Sequence, residues 1–106
     1  MFTREDLFLL EELKRDPDYQ MIRCCNEYVQ YRSRSTGHIF LITKVDFNCY
    51  YPYVMYHSHN LNDVLHHHYQ TKSLKEALKS FDEHERWVNR VEPMIKKFKN
   101  PRYKYE

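Results

Sequence analysis

Leucines at positions 7, 10 and 13 recur every three residues, with Phe8 and Leu9 widening the stripe. That spacing places apolar side chains on one face of a helix. Thr3 is a suitable N-cap, and Asp6 stands where a capping box needs its second partner. Phe2 and Leu7 occupy the two positions of a hydrophobic staple. Asp16-Pro17 ends the element, because the residue before proline is pushed out of the helical region.

From residue 19 to residue 58 the pattern changes to short β-branched and aromatic runs: QMIRCC, EYVQYRSR, HIFLITKV and PYVMYHS. These read as strands. In EYVQYRSR, Tyr28, Gln30 and Arg32 alternate with Val29, Tyr31 and Ser33, as in a half-exposed strand, whereas the nearly unbroken HIFLITKV suggests a central one. Asn26-Glu27 is a plausible tight connection. Gly37, the only glycine, is expected to supply a positive φ in a turn. The segment HHHYQT is left open between strand, helix and loop.

A second helical pattern opens at Ser73, with Glu76 at the capping-box position. At about 100° per residue, Leu74, Ala77, Leu78, Phe81, Val88 and Val91 fall within an arc of roughly 140°. His84 lies inside that arc and reads as a packed, hydrogen-bonded residue at the core boundary. Pro93 is expected to stop or redirect the chain, leaving 92–106 as a short basic extension with a frayed tail.

The expectation is one α+β domain spanning 1–106 in two layers. An N-terminal helix, an antiparallel meander of three to four strands and a C-terminal helix follow in order, both helices on one face of the sheet. Leu7, Leu10, Leu13, Leu74, Leu78, Phe81 and Val88 should form the core with Phe40 and Ile42. The α-β-β-β-α order resembles that of double-stranded-RNA-binding domains, in element order alone.

Composition narrows the class. The chain has 106 residues, of which 42% are hydrophobic, 16% aromatic and 30% charged, enough for one core under a charged surface. No apolar run approaches the ~18–20 residues of a membrane span. The opening MFTREDLFLL has acids where a secretory leader is basic. Three cysteines, at 24, 25 and 49, favour a reducing compartment and hence the cytoplasm. Net charge is +2, but residues 1–18 carry six acids against three bases (−3) and residues 90–106 six bases against two acids (+4).

Candidate chemistry concentrates between Tyr50 and Tyr69, which holds five of the seven histidines and five of the ten tyrosines. On a strand His57 and His59 would share a face, as would His66 and His68 on a neighbouring one, and four imidazoles could converge on a metal ion. Half-exposed sheet histidines bonded to neighbours or water are the simpler reading, since no CxxC or HExxH motif accompanies them. A basic edge is also visible: Lys72, Lys75, Lys79, Arg86 and Arg90 fall within about 60° on the second helix. With Arg32 and Arg34 they could follow a phosphate backbone, although Glu76, Asp82 and Glu83 interleave with them as on an ordinary solvated face. Neither the cysteines nor a single glycine supports a nucleophile or a phosphate loop. The sequence therefore suggests a small non-catalytic binding protein without a cofactor, whose partner is another protein or a second copy. Nucleic acid is the alternative, metal binding through the histidines the next, and no membrane role is expected.

Overall fold

Thr3 caps the first helix, α1 (Arg4–Arg15), and the capping box is complete in both directions. The Asp6 amide donates to Thr3 Oγ1 at 3.1 Å, and the Thr3 amide donates to Asp6 Oδ2 at 2.9 Å. The computed structural model describes residues 1–45 and 50–98, apart from the side chains of 92, 93 and 95–98. Cys49, the side chains of the basic residues beyond 95 and the expected fraying of the tail lie outside that description. After α1 come β1 (Tyr19–Cys24), β2 (Tyr28–Ser33), β3 (Ile39–Lys44), β4 (Tyr53–Ser58), β5 (His66–Thr71) and α2 (Leu74–Phe98).

The strands form a single antiparallel meander in the order β1-β2-β3-β4-β5. HHHYQT is therefore the fifth, edge strand, and the chain exceeds the three strands of the order it resembled. Alternation decides which face each residue joins. Val29 and Tyr31 of β2 sit opposite Ile42 and Phe40 of β3, and Met55 and His57 of β4 sit opposite the same two residues from the other side. This face packs against Leu10 and Leu13 of α1 and against Leu74, Ala77 and Phe81 of α2. Both helices thus cover one face, as the two apolar stripes require. Phe81 anchors the contact, its ring 4.4 Å from that of Phe40 and 6.4 Å from that of Tyr31.

Two expectations need correction. Leu7 is 45% exposed, so it joins neither core nor staple, whereas Phe2 is buried. The helix has only one buried stripe, and Leu10, Leu13 and Asp6 fill it. Pro93 does not end α2, which continues to Phe98; a missing N–H and a ring clash strain a helix by about 3 kcal/mol but need not break it. Tyr53 is buried, and its hydroxyl donates to Asp6 Oδ2 at 2.6 Å. That bond fastens α1 to β4, and burial together with Asp6 holds the phenol well above its usual pKa. Among the described residues, no helix is long and apolar enough to cross a membrane.

Candidate functional site

The face of β3 that carries Phe40 and Ile42 also carries the residue two positions before Phe40, which is His38. Gly37 sets its approach. A φ of +77° lets the chain reverse between β2 and β3, with the Gly37 amide bonded to Ser33 O and the Ser33 amide to His38 O, both at 2.9 Å. On α2, His84 and Glu85 both project from the buried side. Glu85 is 4% exposed, unusual for a carboxylate.

Five imidazoles meet where these elements converge. The ring centroid of His38 lies 5.1 Å from that of His59, 6.0 Å from His57 and 6.2 Å from His84. His57 lies 5.4 Å from His84 and 5.9 Å from His68. His68 arrives through a bulge: Met55 pairs with Tyr69 and Tyr56 with His67, leaving His68 as the extra residue of β5. Its ring packs 5.4 Å from Phe81, on the helix side.

One group within the cluster converges more tightly. A ligand atom from each of His38, His84 and Glu85 lies within 4.8 Å of the others. His38 Nδ1, His84 Nδ1 and Glu85 Oε1 are also the three buried side-chain polar atoms, among the described residues, without a hydrogen-bond partner. His38 Nδ1 and Glu85 Oε1 are 3.2 Å apart, close enough for an ion pair, yet they make no hydrogen bond. Buried polar atoms left unpaired are rare and costly. His84 is packed at the core boundary, as its place in the apolar arc suggested, but its Nδ1 has no hydrogen-bond partner among the described residues.

The electrostatics suit a cation. Burial, followed by the neighbouring His84, His68, His38 and His59, lowers the His57 pKa from 6.5 to about 4. Burial is also the main cause of lowered values at His68 and His84, with Glu85 opposing it at His84. Imidazoles held neutral keep a lone pair available for a metal. His38 Nε2 lies 3.4 Å from His59 Nδ1. The tautomer that donates Nε2–H to His59 leaves His38 Nδ1 unprotonated and facing Glu85.

The structure thus brings together His57, His59 and His68 from the sequence-derived set and adds His38, His84 and Glu85. His66 and His67 are exposed, and His67 turns to Tyr56 instead, their rings 5.7 Å apart. A signal for the missed residues was available. Glu85 falls at about 20° on the helical projection that places Leu74 at zero, inside the apolar arc. His38 has the same strand parity as Phe40 and Ile42.

The basic residues do not form one surface. Lys75, Lys79, Arg86 and Arg90 are exposed on α2, but Lys72 precedes the helix, with its amine 5.9 Å from the centre of the Tyr51 ring. Arg86 pairs with Asp82 at 3.1 Å. Arg32 projects from the opposite sheet face to Tyr31 and bonds to Gln20, while Arg34 is exposed past the end of β2. Cys24 is half-buried with its thiol pKa raised chiefly by burial, which disfavours a nucleophilic thiolate, and Cys25 is exposed. No family model matches this chain, and no significant match is found among curated proteins or solved structures.

Proposed function

We propose that this chain is a non-catalytic binding protein that holds one divalent transition-metal ion, zinc in particular, between α2 and the start of β3. The observation that carries this reading is the coincidence of two independent facts. The three buried polar atoms without partners are all metal-ligand atoms, and they belong to the three residues whose donors converge within 4.8 Å. An ion held by these three residues would give partners to donors that, among the described residues, otherwise lack them. Two imidazole nitrogens and one carboxylate oxygen form a borderline donor set suited to zinc rather than to calcium or magnesium. No sulfur contributes, which disfavours copper(I). The ring of His59 lies 5.1 Å from that of His38 and the ring of His57 5.4 Å from that of His84, so either could supply a fourth ligand by rotation of the side chain.

Such an ion would clamp the middle of α2 to the start of β3. The partner surface of an interaction protein would then lie elsewhere, on the sheet face that neither helix covers, where Tyr28, Leu41 and Tyr56 are half-buried. Tag-free protein should bind one equivalent of zinc in competition with a chromophoric chelator, and elemental analysis should agree. Changing His38 and His84 together to Ala should abolish that equivalent, while changing His66 and His67 should not. Unchanged zinc binding by the His38/His84 double variant would refute the site.

A further inference from the structure

Thr36 stands between the two ligand-bearing elements, and its hydroxyl touches both. Thr36 Oγ1 lies 2.8 Å from Glu85 Oε2 and 3.1 Å from the backbone nitrogen of His38. The direction of each bond is fixed by chemistry. The His38 amide can only donate, so the threonine oxygen accepts there, and the single hydroxyl proton goes to the carboxylate. Glu85 Oε2 is thereby occupied, while Oε1 remains free on the side facing His38 Nδ1. A β-branched side chain has few rotamers in which to lose this geometry.

Resting on the metal reading above, we infer that Thr36 is the positioning and selectivity residue of the site. By holding Glu85 Oε2, it leaves the carboxylate one oxygen for the ion. That favours a small four-coordinate ion over larger ions, which readily take a carboxylate through both oxygens. The residue is not needed to dock the turn itself. Asn89 Nδ2 donates to Ser35 Oγ at 3.1 Å, and Ser35 Oγ lies 3.2 Å from Ser33 Oγ, so α2 and the turn are joined independently. Thr36→Val keeps the shape and removes only the hydroxyl.

Cobalt(II) replacing zinc reports coordination number, because four-coordinate cobalt absorbs visible light far more strongly than five- or six-coordinate cobalt. Wild type should show the intense four-coordinate band. Thr36→Val should lose most of that intensity, weaken zinc roughly ten- to hundredfold and weaken cadmium less, shifting the zinc-to-cadmium affinity ratio. Thr36→Ser should restore both readouts. A Val variant with the wild-type spectrum and affinity ratio would overturn the role of Thr36 while leaving the metal site standing. A wild type that binds neither zinc nor cobalt would remove both readings. If Thr36→Val does not fold, Thr36→Ala and the wild-type spectrum decide, since a five- or six-coordinate band in wild type contradicts a carboxylate limited to one oxygen.

Discussion

Replacing Glu85 by Gln should move the metal-free and zinc-loaded proteins in opposite directions. Glu85 is buried, with Oε2 bonded to Thr36 and Oε1 unpaired 3.2 Å from the equally unpaired His38 Nδ1. A glutamine keeps an oxygen for Thr36 and places an NH₂ where Oε1 stood, able to donate to the His38 lone pair. Satisfying a buried orphan is worth about 1–3 kcal/mol, against about 1 kcal/mol lost as the Thr36 bond ceases to be charge-assisted. The net is a gain of about 1 kcal/mol, or about 4–8 °C in Tm for a domain of this size. Zinc at a hundred times its Kd stabilises wild type by about 2.7 kcal/mol, whereas the amide, a poorer ligand, should leave the variant little response. Thermal melts with chelator and with excess zinc measure both effects. A variant that melts lower than wild type in chelator, yet responds to zinc as wild type does, would show Glu85 to be a structural residue and not a ligand.

Phe81→Ala should cost about 3–5 kcal/mol in urea denaturation, since the ring is 1% exposed and central to the core; a loss below about 1 kcal/mol would contradict its placement. Gly37→Ala should cost only about 1 kcal/mol, because a Cβ there meets nothing within 4 Å and only the φ of +77° is unfavourable. Gly37→Asn should cost less, and a loss of several kcal/mol in either would mean the turn has another constraint. Metal-free protein should lose stability as pH falls from about 6.5 towards 5. The unfolded chain takes up protons on histidine there while His57, with its pKa near 4, does not; a flat profile across that window, unchanged by His57→Asn, would contradict the depressed value.

The helices were legible because each carries one signal repeated along its length. Capping at Thr3 and Ser73 and the arc from Leu74 to Val88 are local patterns that packing did not override. The site was legible only by halves. His57, His59 and His68 attract notice because they crowd together in sequence. His38 and Glu85 stand isolated in the chain and meet only through the β2–β3 turn and the docking of α2. His66 pairs with His57, as alternation expects, yet stays exposed at the start of β5, while the extra residue at His68 shifts the register of β5 against β4 further along, which no two-residue period can anticipate. Leu7 was misplaced for a similar reason, since a run of four apolar residues does not say which of them the sheet will cover.

Crystals of tag-free protein grown with zinc and measured on both sides of the zinc absorption edge would locate the ion itself. One anomalous peak is expected, ~2.0–2.2 Å from a ring nitrogen of His38, a ring nitrogen of His84 and a carboxylate oxygen of Glu85. A peak at the exposed His66 or His67 instead, or none in protein saturated with zinc, would contradict the proposed site.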